Sequence, residues 1–133
     1  MPAVDRDALE RWIEAYERLW RTVSTEELAQ IFTDDAVYSP GPFVKAARGL
    51  EAIERLWEGE RLGPDEDFEL SSEVVAVEGD TGVARVEVRY GPPRDLLYRD
   101  LWIIRAGADG RCTSFEEWPF WPPGSDGTVA GAS

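Results

Sequence analysis

Residues Ser114 to Pro123 read S-F-E-E-W-P-F-W-P-P, four aromatic residues around two adjacent carboxylates. Aromatic side chains carry large apolar areas, so a segment this rich in them is expected to be buried. A carboxylate drawn into such surroundings must be hydrogen-bonded, paired with a charge or held protonated. Glu117 is therefore the leading candidate for a general base or a ligand acceptor. Side chains alternate between the two faces of a strand, so only one of Glu116 and Glu117 can face inward, and a one-residue change of register exchanges them.

Other residues suit the same chemistry. Asp100 sits in Tyr98-Arg99-Asp100-Leu101-Trp102, in the middle of an apolar strand-like run. Aspartate is disfavoured mid-strand, which points to a specific partner or a pocket. The plainer alternative is a salt bridge to Arg99 or Arg111. Tyr38 and Tyr16 could polarise a carbonyl or hydroxyl. Arg85 and Glu87 are two residues apart and share one face of a strand. Alternation turns Ala84, Val86, Val88 and Tyr90 toward a core and leaves Arg85, Glu87 and Arg89 on a solvated face, so a pocket or an outer position is open for them. The aromatic residues Trp12, Tyr16, Trp57, Trp102, Trp118 and Phe120 are core packing or the walls of an apolar cavity. A cavity walled by them would suit a small apolar ligand, flat or polycyclic. Asp34-Asp35 reads as a helix-to-strand junction rather than a cation site.

The chain excludes several mechanisms. It contains no histidine, which removes Ser-His-Asp and Cys-His catalysis and the usual zinc sites. No cofactor is implied. Cys112 is the single cysteine, so no intrachain disulfide can form, and the residue reads as a small strand side chain. The net charge of −13, from 27 acidic and 14 basic residues, argues against nucleic acid and anionic membrane as partners. No apolar run approaches the ~20 residues of a membrane span, and Met1 to Asp5 carries no signal-peptide pattern. A cytoplasmic protein is expected.

The elements that must position these groups follow from periodicity. The 133 residues, 43% of them hydrophobic, fit one domain with a real core. The expected domain covers residues 5–122, followed by a frayed tail over 123–133. From Asp5 to Thr22, Leu9, Trp12, Ile13, Tyr16, Leu19 and Trp20 form one helical stripe. Ser24 and Glu27 have capping-box spacing, predicting a short second helix with Leu28, Ile31 and Phe32 inward. Ala36 to Ser39 reads as a short strand broken by Pro40-Gly41-Pro42. Gly49 precedes a third helix carrying Leu50, Ile53, Leu56 and Trp57, stopped by Gly63-Pro64. Strand-length segments follow at 68–77, 83–90, 96–105 and 112–121, joined by turn-forming connectors. Three helices followed by an antiparallel meander make an α+β plan with helices on one sheet face. The strands are apolar on both faces, so the outer face is expected to form a homodimer; a tail folded back over it is the alternative.

The order of these pieces resembles the NTF2-like superfamily and, within it, the SnoaL-like proteins. The likeness covers about residues 7 to 121. Its carriers are Ile31-Phe32-Thr33-Asp34-Asp35-Ala36-Val37-Tyr38, then Arg48-Gly49-Leu50-Glu51-Ala52-Ile53, then the Asp109-Gly110-Arg111 hairpin before an aromatic and acidic last strand. The resemblance implies a cone-shaped, cystatin-like α+β barrel, its curved antiparallel sheet and helices enclosing an apolar pocket, with dimerisation through the sheet in many members. Members include isomerases, cyclases, dehydratases, hydrolases and pure binding domains, so the pocket residues must decide function.

Two site patterns are implied by this resemblance. Arg85-Val86-Glu87, Glu117 and Tyr38 look like the arginine, paired acids and tyrosine of limonene-epoxide-hydrolase-like members. There one acid protonates an epoxide and the other activates water. Here both acids are glutamate, and Pro40 stands where that group has a water-holding asparagine. Asp100 matches the protonated aspartate that ketosteroid-isomerase-like members use as an oxyanion donor, whereas the general base of that group falls near Ser39 or Pro40. The resulting expectation is cofactor-independent acid–base chemistry of cyclase, isomerase, lyase or hydrolase type. The alternative is a non-catalytic binding or dimerisation module.

Overall fold

The structure is a computed structural model and describes residues 5–22, 25–60, 67–92 and 95–123. Helix α1 spans Arg6–Trp20, with Asp5 as its N-cap accepting from the Ala8 amide at 2.7 Å. Its expected stripe is its buried face: Leu9, Trp12, Ile13, Tyr16, Leu19 and Trp20 all pack inward. A 3-10 helix at Glu26–Gln30 leads into strand β1 (Phe32–Ser39), a two-residue strand β2 (Ala47–Arg48) and helix α2 (Leu50–Glu60). Strands β3 (Phe68–Glu78), β4 (Thr81–Tyr90), β5 (Leu97–Ala106) and β6 (Cys112–Phe120) complete the chain.

The six strands form one sheet in the order β2-β1-β6-β5-β4-β3. The run β3 to β6 is the expected antiparallel meander. Strand β1, however, joins β6 in parallel, and β2 was not foreseen; two residues carry too little pattern to read. Register shifts interrupt β1, β3 and the β5–β6 pair. Such bulges bend and twist a sheet locally. Gly82 marks where α1 lies closest to this surface: a Cβ there would sit 2.5 Å from Leu9 Cδ2. Gly49, at φ 90, turns the chain from β2 into α2 and donates its amide to the Ala36 carbonyl at 2.8 Å.

Three helices were expected, and two α-helices with one short 3-10 helix are found. Ser24 of the expected capping box lies outside the described residues. Thr25 occupies the N-cap position without a side-chain cap bond, its hydroxyl donating instead to Glu58 Oε2 on α2 at 3.1 Å. The segment cannot run on as a helix because Ile31 and Phe32 are drawn into the sheet, where the Ile31 carbonyl accepts from the Cys112 amide at 2.7 Å. The Gly63-Pro64 stop and the tail beyond residue 123 also fall outside the described residues.

Candidate active site

The register of β5 against β6 decides which side chains meet. Asp100 pairs with Pro119, Trp102 with Glu117 and Ile104 with Phe115, so these residues share the face that α1 covers. Tyr38 on β1 pairs with Phe115 and brings a hydroxyl to the same place. Glu117 is thus the inward carboxylate. Glu116 faces outward, paired with Ile103, and accepts from Trp118 Nε1 at 3.3 Å.

These groups form one hydrogen-bonded chain. Tyr38 donates its hydroxyl proton to Glu117 Oε1. The Tyr16 and Tyr38 hydroxyls lie 2.7 Å apart. A phenol has one proton, and that of Tyr38 is committed to Glu117, so Tyr16 must be the donor between the two tyrosines. On its other side Glu117 meets the Asp100 carboxyl, and Asp100 Oδ2 accepts from Trp102 Nε1 at 3.3 Å. Tyr16, Tyr38, Asp100 and Trp102 are all buried, while Glu117 is half-buried.

Two carboxyls in contact make a hydrogen bond only if one carries a proton. Burial is the largest influence on Asp100 and raises its pKa above the ordinary 3.8; its bonds with Glu117 and Trp102 oppose that rise. Asp100 is the more buried of the two, and Glu117 already accepts from Tyr38. The pair therefore holds one proton between its carboxyls: burial favours the neutral form of Asp100, and the bond with Glu117 favours its ionised form. Asp100 Oδ1 is buried and has no hydrogen-bond partner. The two tyrosine protons thus run toward Glu117.

Aromatic rings surround this chain. Tyr16 lies 4.9 Å from Trp57, 4.7 Å from Trp102 and 5.5 Å from Phe115 between ring centres. Trp12 packs on Tyr16 and Phe115 and donates Nε1 to the Ile31 carbonyl at 2.9 Å. The rings touch one another, so side chains occupy the interior around Tyr16. The cover loosens past Asp100, where Tyr98, Pro119, Val88 and Tyr90 are only half-buried. A separate cleft of about 460 Å³, lined by Glu69, Arg89, Tyr90 and Asp95 among others, includes no member of the chain.

The structure does not bring Arg85 and Glu87 to this site. Strand alternation puts them on the outer face, where Arg85 pairs with Glu73 and Glu87 with Arg99 at 3.0 Å. The grouping of Arg85, Glu87 and Glu117 is therefore not formed. Trp118 and Phe120 are also on the outer face, 39% and 57% exposed, because their parity is opposite to that of Phe115 and Glu117. Trp12, Trp57 and Trp102 do flank the chain, and Tyr16 is part of it. Trp20, Phe32 and Phe115 were not singled out beforehand, yet they pack against these residues. The helical stripe already contained Trp20, and the parity of Glu117 contained Phe115.

Among the described residues no group of three or more Asp, Glu or Cys is placed to hold a metal ion, and Asp34 and Asp35 are exposed on β1. Cys112 is buried, its thiol pushed up to about 12 by desolvation, so it is a poor nucleophile. The Asp109-Gly110-Arg111 hairpin is a structural clasp. Arg111 Nε donates to Asp109 at 2.8 Å and Nη1 to the Ala29 carbonyl at 3.1 Å. The Arg111 backbone amide and guanidinium hold the Asp109 carboxyl below its usual range.

Residues 9–115 match the model of a family described as a SnoaL-like domain. No curated protein matches the chain. A protein of unknown function with a cystatin-like fold from Methylobium petroleophilum PM1 superposes with a TM-score of 0.70 at 18% identity, covering 96% of this chain and 84% of that one. SalBIII, an epoxide hydrolase/cyclase-like enzyme of pyran ring formation in the polyether salinomycin, gives 0.69 at 10% identity, over 87% of this chain and 93% of its own. A steroid delta-isomerase from Pseudomonas aeruginosa gives 0.62 at 19% identity, over 90% and 83%. At these identities the likeness is one of fold.

Proposed function

Because the chain belongs to the SnoaL-like domain family, we propose that it is an acid–base catalyst of cyclase, isomerase, lyase or hydrolase type. It acts through its own carboxyls and hydroxyls on a small apolar molecule. The observation that carries this reading is the buried chain Tyr16–Tyr38–Glu117–Asp100. Two carboxyls whose surroundings separate their protonation states supply a base and an acid side by side. Glu117, ionised and half-buried, takes the proton. Asp100, kept neutral by burial, gives a hydrogen bond to oxygen charge that develops on the substrate. Tyr38 and Tyr16 hold Glu117 in place. Entry is from the half-covered end near Tyr98.

Two readouts test this. In deuterated water the protein should accelerate exchange of the C1 protons of 2-tetralone, a flat ketone, and Glu117→Gln should remove the acceleration. Carboxyl NMR should show one aspartate titrating well above its ordinary value. A protein without such a carboxyl is not this catalyst.

The second reading is a non-catalytic binding or dimerisation module. The ring packing around Tyr16 favours it, since a filled interior is what a purely structural core needs. Either reading includes a cytoplasmic homodimer through the outer sheet face, where Leu101, Trp118 and Phe120 are exposed. Arg85 and Arg99 are paired there with Glu73 and Glu87, so this patch adds little of the repulsion expected from a chain of charge −13. Trp118→Lys should then halve the mass seen in sedimentation velocity; an unchanged mass removes this interface.

A further inference from the structure

The loop between β1 and β2 holds an aromatic side chain out in water on an ordered turn. Phe43 is 100% exposed. Val44 donates its amide to the Gly41 carbonyl at 3.2 Å. This closes a β-turn with Pro42 at its second position, where the fixed φ of proline suits the turn. Val44 also folds down on Gly41, where a Cβ would sit 3.2 Å from Val44 Cγ2. An anchor ordered in this way before binding loses little freedom on docking. From Ala36 to Leu50 the chain has no acidic residue. It carries there Lys45, its single lysine, and Arg48, both exposed, in a protein of net charge −13. The cleft of about 460 Å³ has the reverse character. Among its described lining residues Asp67, Glu69 and Asp95 set three carboxylates against the guanidinium of Arg89, and Tyr90 and Leu97 supply apolar surface. Its volume gives room for a ring.

The sheet places turn and cleft where two copies can exchange them. In the order β2-β1-β6-β5-β4-β3 the midline runs between β6 and β5, the strands that carry the exposed Leu101, Trp118 and Phe120. The turn lies on one side of that line, and the cleft, on β3, β4 and the start of β5, lies on the other. Both are at one end of the strands. β1 runs parallel to β6, and at the end where β6 finishes, Phe120 pairs with Arg99, Leu97 with Arg89 and Arg89 with Glu69. A two-fold axis along the midline therefore turns each copy's Phe43 loop toward the other's cleft, and both contacts form together, as an isologous interface requires. We infer that the cleft is the seat of the Phe43 turn of a second copy, the ring packing on Tyr90 and Leu97 and Lys45 meeting the carboxylate rim. The inference rests on the reading of the outer sheet face as a homodimer interface and adds the contact that fastens its edges. Tyr90 lies 6.2 Å from Tyr98 between ring centres, so the seated turn stands beside the end proposed for entry.

A single lysine makes the test specific. A water-soluble carbodiimide activates a carboxylate as an O-acylurea; the Lys45 amine attacks the acyl carbon, an amide forms and the carbodiimide leaves as its urea. The product of doubled mass is isolated and digested, and its linked peptides are read by mass spectrometry. They should join Lys45 to Asp67, Glu69 or Asp95. Lys45→Arg keeps the charge and removes the amine, so it should keep the non-covalent dimer and lose this product. Phe43→Ser changes a side chain that stands fully in water, and it should raise the dimer dissociation constant roughly tenfold to a hundredfold in sedimentation equilibrium. A non-covalent dimer that gives no link from Lys45 to the cleft, or a Phe43→Ser dimer as tight as the wild type, overturns the inference and leaves the sheet-face interface standing. A cleft link that persists at full yield in Trp118→Lys supports the seated turn and defeats the sheet-face interface alone. A protein that stays monomeric at every concentration defeats both.

Discussion

The two faces of strands β4 to β6 carry the same kinds of side chain and put them to different uses. Inside, Asp100, Glu117, Trp102 and Phe115 are packed under α1, and the two carboxyls must share a proton. Outside, Glu116, Arg85, Glu87 and Phe120 stand in or near water, and their charges form ordinary exposed pairs. Glu116 and Glu117 are neighbours in the chain, yet one serves an exposed indole and the other ends a buried proton chain. Chemistry here depends on which face removes water from the group rather than on residue type. Low-dielectric surroundings strengthen each hydrogen bond and make an unpaired charge costly.

This contrast can be broken at four points. The largest effect is expected from Glu117→Gln, which should lower the rate of tetralone exchange by about 10²-fold or more, while Glu116→Gln leaves it within about twofold. Equal losses would mean that the buried chain has no special role. Next, Phe115→Ala should cost about 3–5 kcal/mol of stability in urea unfolding, as expected for a filled aromatic site. Phe120→Ala, more than half exposed, should cost under ~0.5 kcal/mol under conditions where the protein is monomeric.

A smaller effect, of opposite sign, is expected from Asp100→Asn. The folded state raises the Asp100 pKa, so it holds this proton more tightly than the unfolded chain does. The group costs nothing well below 3.8, its ordinary value. Its penalty grows as pH rises from there through the raised folded value and is constant above. Asparagine can donate to Glu117 and accept from Trp102 at every pH. The variant should be more stable than the wild type near neutral pH, by about 1 kcal/mol, with the advantage vanishing in acid. A pH-independent difference would place the proton elsewhere. The smallest effect is expected from Arg85→Ala, whose exposed pair with Glu73 should contribute under ~0.5 kcal/mol. A large loss of activity in that variant would return Arg85 to the site.

Much of this molecule is legible from local pattern. The stripe from Leu9 to Trp20 commits α1 to one buried face, because a 3.6-residue period leaves no other way to hide three large rings. The alternation in β4 already turned Val86 inward and Arg85 outward, and the structure keeps that parity. The likeness to one group of enzymes drew Arg85 and Glu87 toward Glu117, and the parity of the strand overrode it. The amino-acid order also restricted any catalysis to carboxyls and hydroxyls, since histidine is absent and Cys112 is alone.

Register, by contrast, is a property of pairs of strands. The choice between Glu116 and Glu117 depended on how β6 lies against β5, and the interruption near Arg105 and Ala106 is invisible in either strand alone. The meeting of Tyr16 from the first helix with Tyr38 from β1 and Glu117 from the last strand joins three distant segments. It requires the parallel pairing of β1 with β6, for which a short strand has no signature of its own. Residue types and periods set which groups could be buried; only the assembled sheet under its helix decided which of them share a proton, because that depends on distances of a few ångströms between parts of the chain that sequence order keeps apart.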